Sequence, residues 1–446
     1  MSQVAPQPST ASLPLDKLAM KGAIPFTIPT STDNVDKDFF TSMLRAQGLL
    51  SSTNEVTSME GKIIGADKGF TSNVMLCNLS YKSKPEPGTA PNKLVVKIMG
   101  GGLNLKKKVE KWLVHNLIFP NEVRFFAECN VAPSVAPFRY PKNYFCASRN
   151  TNHLMVMEDL SSFGVCGAGF KGSATIEECR SIMIYMARLH AHFWEKRSHK
   201  DSPSTVQNLF AGADLSIYPL IIKKVFPDAL KVMRKAFPEV VAVIGESCMA
   251  TLSNRWKSIA QRFRTPPFTL CHGDTKLDNI FFAHEIEDGK NYRECCAVDW
   301  GVSGWGNPMG DVGYFFGRCV DVEDRRAWLD ELLELYRVEL IRVNPDLADK
   351  YTMDKMKDDL RLMCLVPFFT VTGTLKGMKH DVDGGTGAFA PKEKLSPDNA
   401  IKKVWMDLSL MRTAHLIKDL DCEGKIAEGA ADPMVPPIPC CCAWMI

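Results

Sequence analysis

The 446-residue sequence predicts an α+β protein of two lobes, a small β-rich N-terminal lobe and a larger, mostly helical C-terminal lobe. Apolar, strand-like runs bounded by turn residues crowd between Val56 and Leu160. Beyond Ser161 the apolar spacing turns helical, opened by the capping box Thr175-Ile176-Glu177-Glu178. One later β signal interrupts the helices: Phe268 to Cys271, then Ile280 to Phe282, then Ala297-Val298. The expected organisation is a flexible leader over 1–34, a sheet-bearing lobe over 35–160, a helical lobe over 161–420 and a Pro/Cys-rich tail over 421–446. No internal repeats stand out.

The elements follow in order. Val35 to Gln47 reads as a helix with Phe39, Phe40, Met43 and Leu44 on one face and Gly48 at its end. Lys62 to Ile64 leads to a turn, and Phe70 to Tyr81 returns as a strand. Proline breaks Lys82 to Asn92 into a loop, and Leu94 to Met99 is a third strand with Lys97 embedded in it. After Gly100-Gly101-Gly102 a helical region runs to about Cys129, and Tyr144 to Ala147 and Leu154 to Met157 complete the sheet. The second lobe's helices are expected over Cys179–Lys196, Tyr218–Phe237, Val240–Phe263, Glu323–Val343, Met353–Lys376 and Asp398–Asp419. Gly384-Gly385-Thr386-Gly387 follows a helix with no leading strand and reads as a loop.

Composition removes several classes. The net charge of +3 carries no polyanion-binding signature, so nucleic acid is not an expected partner; Lys106-Lys107-Lys108 reads as a solvated helix face. The 15 cysteines show no CxxC spacing and fit reduced thiols in a cytoplasmic protein. The first thirty residues lack a signal-peptide core, and no run approaches the 18 or so apolar residues of a membrane span. In the tail, Cys440, Cys441 and Cys442 are candidate acylation sites for a weak membrane association. Ala443 at the fourth position from the end excludes a prenylation box. Nothing here defines an oligomeric state.

The chemistry concentrates in Cys271 to Trp300, where His272-Gly273-Asp274 is followed by Asn279 and, after an insert, by Asp299. Phosphoryl transfer needs cradled phosphates, a divalent metal and an oriented nucleophile. Asp274 can accept or orient the hydroxyl proton of an attacking alcohol. Asn279 can reach a metal from the same loop, and Asp299 offers the hard oxygen that Mg2+ prefers. His272 is expected to shape the loop. A lysine in a buried strand needs a counter-charge, and Glu122 on the next helix is the natural partner for Lys97; the pair would set an ammonium on nucleotide phosphates. In the turn between the first strands, Gly65, Gly69 and Ser72 can cover phosphates with backbone amides.

HGDxxxxN (His272, Gly273, Asp274, Asn279) followed by Val298-Asp299-Trp300 resembles the aminoglycoside phosphotransferase, choline kinase and ecdysteroid kinase-like branch of the protein-kinase-like fold. Gly306-Asn307-Pro308-Met309-Gly310-Asp311-Val312-Gly313-Tyr314 is similar to that branch's G-x-P-x-x-D-L-a-y segment, and Leu189 to Trp194 to its helix before the catalytic loop. The resemblance covers roughly Val56 to Asp419. It implies a protein-kinase-like fold, ATP and Mg2+ as cofactors, Asp274 as catalytic aspartate, and Asn279 and Asp299 as metal ligands. It further implies Lys97 and Glu122 as the phosphate-positioning pair, Glu158 to Leu160 as the adenine-facing hinge, and Asp311 as a buttress of the catalytic loop. His190 and His192 are read as helix-packing residues, without a third metal ligand.

Within the branch, Thr275-Lys276 departs from the HGD-x-W of ecdysteroid kinase-like proteins, whereas the phenylalanine-rich helix around Glu122 is similar to theirs. Gly273 and Trp300 depart from choline kinases, although Trp300, Trp305 and Tyr314 offer aromatic faces for a cation. The expected activity is transfer of the ATP γ-phosphate to a hydroxyl of a small organic molecule. The alternatives are a silent pseudokinase acting as nucleotide-binding scaffold, a choline or ethanolamine kinase and, last, a protein kinase.

Overall fold

The computed structural model describes residues 26–64, 73–86, 88–99, 118–129, 131, 136–149, 152–167, 172–199, 202–204, 206, 218–286, 289–370, 379–385, 394 and 396–428. The chain divides into two units: Met1–Val135 with Pro141–Asp159 and Ser198–Val206, and Ala136–Tyr140 with Leu160–Arg197 and Gln207–Ile446.

In the first unit, helix α1 (Lys37–Ala46) starts where the Asp36 carboxylate accepts the Phe39 N–H at 2.7 Å. It ends at Gly48, whose φ of +68° closes the last turn. Strands β1 (Val56–Ile64), β2 (Asn73–Tyr81) and β3 (Lys93–Met99) precede helix α2 (Phe119–Glu128), and β4 (Asn143–Arg149) and β5 (Asn152–Glu158) follow it. They form one antiparallel sheet ordered β1-β2-β3-β5-β4. Alternation along β2 and β3 turns Met75, Cys77 and Leu79, then Leu94, Val96 and Ile98, onto the apolar face of α1. The two-residue period therefore sends Lys97 to the opposite face of the sheet. Part of the expected leader joins this core: the Phe26 ring lies 5.8 Å from Phe39 and 5.4 Å from Phe145, and Ile28 packs beside it, half-buried.

The second unit is mostly helical, as expected, with two small sheets. Its elements are β6 (Gly164–Cys166), α3 (Ile176–Phe193), α4 (Tyr218–Ala236), α5 (Pro238–Ile244), α6 (Glu246–Asn254), α7 (Trp256–Arg262), β7 (Thr269–Cys271), β8 (Ile280–Ala283), β9 (Cys295–Ala297) and β10 (Gly304–Gly306). They continue with α8 (Met309–Cys319), α9 (Val322–Val343), α10 (Met353–Met363), α11 (Lys379–Gly384), α12 (Pro397–Asp419) and α13 (Cys422–Ala427). The capping box at Thr175 and Glu178 opens α3. Arg180–Glu331 at 2.6 Å and Arg188–Glu339 at 2.5 Å tie α3 to α9.

Several elements differ from the sequence expectation. The helix expected over Val240–Phe263 is three: Gly245 at φ +88° ends α5, and Arg255 leaves helical geometry before α7. The helix expected over Met353–Lys376 is interrupted at Cys364, and 371–376 lie outside the described residues. The predicted hairpin is β8 against β9, and two short strands join the β elements: β6 pairs with β8, and β10 with β7. Both additions are three residues long and contain glycine, too short to show a period. Helix α8 was masked in the sequence by its glycines. Gly313 is required there because a Cβ would lie 2.8 Å from the Met363 carbonyl oxygen.

Candidate active site

In the first unit, Lys97 projects from β3 and Glu122 from the first turn of α2. The Lys97 ammonium donates to both Glu122 oxygens, at 2.9 and 2.7 Å, and the two residues are 7% and 2% exposed. Each charge loses several kcal/mol of hydration on burial, so the two-pronged contact is what makes this burial tolerable. Glu158, at the end of β5, accepts the Lys142 N–H at 3.0 Å through its carboxylate and donates its own N–H to the Lys142 carbonyl at 2.9 Å. Its side chain thus closes the sheet end. Leu160, which opens the second unit, is buried. Gly65, Gly69 and Ser72 lie outside the described residues, as do Cys440, Cys441 and Cys442.

In the second unit the Asp274 loop joins β7 to β8. Asp311, in the first turn of α8, accepts the His272 N–H at 2.7 Å and the Gly273 N–H at 2.8 Å. His190 of α3 bonds the same carboxylate at 3.2 Å and Tyr336 of α9 at 2.8 Å. Burial alone would raise the Asp311 pKa, but the hydrogen bonds from His190 and from the His272 and Gly273 amides hold it below the usual range. Gly273 sits at φ +81°, and a Cβ there would collide with the Val302 carbonyl oxygen. His190 is therefore more than a packing residue. Cys271 and Asp311 lie near enough that, with His190, one ligand atom of each falls within 4.8 Å of the others. The Asp311 carboxylate is already taken by three donors and burial pushes the Cys271 thiol well up, so the cluster reads as a loop support. The His192 ring packs on Phe138 and Phe193.

His272 links the two halves of the motif. Its Nε2 faces the Val298 carbonyl at 2.9 Å, and its Nδ1 accepts the Asp274 N–H at 3.3 Å. A carbonyl can only accept and an amide N–H only donate, so this pattern selects one neutral tautomer, protonated on Nε2. Burial, which pushes the His272 pKa down, favours the same neutral ring. The ring also rests 4.6 Å from Trp300, whose Nε1–H donates to the Ala297 carbonyl at 3.1 Å.

The Asp274 carboxylate gathers three donors. Lys276 Nζ donates to Oδ2 at 2.7 Å, Asn279 Nδ2 to the same oxygen at 2.9 Å, and the Tyr314 hydroxyl to Oδ1. Burial works to raise the Asp274 pKa; Lys276 and Tyr314 prevail, and it lies below the usual value. Asp274 is therefore ionised near neutral pH. Asn279 also donates Nδ2 to the Asp274 carbonyl at 2.9 Å. With Nδ2 spent twice on Asp274, its Oδ1 accepts nothing from the described residues and is the amide atom left for a cation. Asp299 adopts the left-handed conformation, φ +64°, ψ +64°, uncommon for a residue with a Cβ. Its carboxylate and the Asn279 Oδ1 are hard oxygens of the type that holds Mg2+.

Two of these residues lay outside the sequence-based site. Tyr314 entered only as an aromatic face, and Lys276 only as a mark of subfamily. The aromatic cation site is not formed. Trp300 and Trp305 are 0% and 1% exposed, Trp305 packs on Phe193, and the Tyr314 hydroxyl is taken by Asp274.

A family model, the ecdysteroid kinase-like family, matches residues 67–348. No curated protein matches the chain. Among solved structures, one from Ralstonia eutropha JMP134 assigned to the aminoglycoside phosphotransferases is 14% identical; the match covers 85% of this chain and 98% of that one, with a TM-score of 0.47. A microcompartment-associated aminopropanol kinase is 12% identical over 79% of this chain and 90% of its own, TM-score 0.45. An ethanolamine kinase of Plasmodium vivax is 13% identical over 85% and 92%, TM-score 0.43. The family match spans most of both units' described elements, including β3, α2 and the entire Asp274 loop with Asp299 and Asp311, and on that ground the chain belongs to the ecdysteroid kinase-like family.

Proposed function

We propose that this chain is an ATP- and Mg2+-dependent kinase that transfers the γ-phosphate of ATP to a hydroxyl group of a small organic molecule. The observation that carries the reading is the Asn279 amide: its nitrogen holds the Asp274 carboxylate while its oxygen is left for a cation. One short loop thereby joins the group that orients an acceptor to the group that holds a metal.

The roles follow from the chemistry. Lys97, fixed by Glu122, neutralises nucleotide phosphates. Glu158 and Leu160 serve the adenine side, and Gly65, Gly69 and Ser72 the phosphate cover. Asp299 and Asn279 hold Mg2+, which when bound supplies charge neutralisation to the phosphates. Asp274, ionised and low in basicity, orients the acceptor hydroxyl and takes its proton late, as a loose phosphoryl-transfer transition state allows. An alcohol without a quaternary ammonium suits the site better than choline, because Trp300 and Trp305 are spent in the core. The free thiols of the described cysteines accord with a cytoplasmic setting.

The test is transfer of labelled γ-phosphate from MgATP to a panel of alcohols led by an ecdysteroid, with mass spectrometry of the product. Asp274→Asn is expected to lower kcat by about 10²–10⁴-fold and still bind MgATP. Nucleotide binding with neither transfer nor hydrolysis in the wild type would instead make the chain a nucleotide-binding scaffold.

A further inference from the structure

We infer that Tyr314 is a positioning residue for phosphoryl transfer, holding Asp274 so that an acceptor hydroxyl has a single place to bind, on Oδ1. This rests on the phosphotransferase reading above and adds a residue to it.

A count of lone pairs leads there. An ionised carboxylate has about four acceptor sites, two on each oxygen. Oδ2 of Asp274 uses both of its own, for Lys276 Nζ at 2.7 Å and Asn279 Nδ2 at 2.9 Å. Oδ1 uses one, for the Tyr314 hydroxyl. Among the described residues nothing fills the remaining site, on Oδ1. The terminal torsion of Asp274 has no sharp staggered wells of its own, so its angle is set by the donors on its two oxygens, and the Tyr314 hydroxyl is the one that fixes Oδ1.

Helix α8 makes this hold rigid. Asp311 and Tyr314 stand three residues apart on one face, so the helix grips the loop backbone at His272 and Gly273 with one residue and the Asp274 side chain with the other. Tyr314 is 2% exposed, and the Arg318 guanidinium lies 5.3 Å from its ring centroid. Burial pushes the phenol pKa up, which keeps the hydroxyl a donor. The side chain is thus a fixed part of the site and cannot swing aside to make way for an acceptor.

Tyr314→Phe keeps the ring and removes the donor. Water can use the same place on Oδ1, so the assay is phosphate release from MgATP without added alcohol, with rates normalised to the number of MgADP-binding sites by calorimetry. The expected result is a kcat lower by about tenfold to a hundredfold, the loss typical of a reacting group set slightly out of line, with KM for MgATP and MgADP affinity unchanged. A kcat within twofold of wild type, or kcat and KM changing together, overturns the positioning role alone. A wild-type chain that transfers phosphate to an alcohol of the panel without hydrolysing MgATP is compared with Tyr314→Phe by that transfer, under the same limits; one that neither transfers nor releases phosphate overturns the phosphotransferase reading and this inference with it.

Discussion

Replacing Lys97 by Met tests whether the Lys97–Glu122 pair is held by charge or merely tolerated by packing. Met is close to Lys in volume, so the change removes a charge and little else. It takes from the Glu122 carboxylate, 2% exposed, the ammonium that meets both of its oxygens. Breaking a buried pair in this way costs about 3–5 kcal/mol. A limit comes from protonation: neutralising a carboxyl of ordinary glutamate pKa at pH 7 costs about 3.7 kcal/mol. The carboxyl will take that route when the alternative is dearer, so about 3–4 kcal/mol is expected, or roughly 6–16 °C in Tm for a unit of this size. In the variant the folded-state pKa of this carboxyl would stand above its unfolded value, so the loss should shrink as pH falls, by about 1.4 kcal/mol per unit between pH 7 and pH 5. Lys97→Met/Glu122→Met removes both charges and should return within about 1.5 kcal/mol of wild type. MgATP affinity should be lost in both. The assay is urea unfolding across pH together with nucleotide titration. A single variant costing under about 1 kcal/mol, or a double variant no better than the single, would refute the argument from the broken pair.

Three more outcomes follow from the second unit. Asp299→Asn keeps a residue that tolerates the left-handed backbone and removes the charge, so stability should hold while the Mg2+ needed for half-maximal activity rises; Asp299→Ala should lose a further ~1 kcal/mol in thermal unfolding, as a left-handed alanine does. Gly273→Ala combines a positive φ with a collision against Val302, and should cost about 1–3 kcal/mol and most of the turnover by displacing Asp274, read by denaturation and phosphate release. Asp311 has a depressed folded pKa, so its contribution is complete above the unfolded carboxyl pKa and is lost as pH falls through the folded value. Asp311→Asn should lower neutral-pH stability and flatten the acid limb of the stability curve, measured by unfolding at stepped pH.

How legible each feature was depended on the kind of physical signal it left in the chain. Lys97 was readable because a charge in an apolar strand demands an opposite charge, and Glu122 was the candidate on the following helix. The capping box of α3 was readable because both of its halves are local. Tyr314 was not. Its hydroxyl meets Asp274 across 40 residues, and a neutral buried donor leaves no trace that separates it from a core tyrosine. Trp300 and Trp305 misled for the related reason that an aromatic near a motif looks the same in sequence whether it faces a ligand or the core. Helix α8 was hidden by Gly310, Gly313 and Gly317, which lower helix propensity but let neighbouring chain approach closely.

The spacing of the motif itself now has a cause. A single turn of 3-10 helix, Leu277–Asn279, returns Asn279 to the carbonyl and the carboxylate of Asp274, so adding or deleting one residue between 274 and 279 would break both bonds at once. Between Asn279 and Asp299 the constraint is of another kind. The β8–β9 ladder pairs Ile280 with Ala297, the Val298 N–H reaches the Asn279 carbonyl at 2.9 Å, and His272 bonds the Val298 carbonyl from the other side. Asp299 is therefore placed by strand register and by His272, and the number of residues in the connection from 284 to 294 does not enter. A strict interval in the first half of the stretch and a freely variable one in the second are what these two modes of support require.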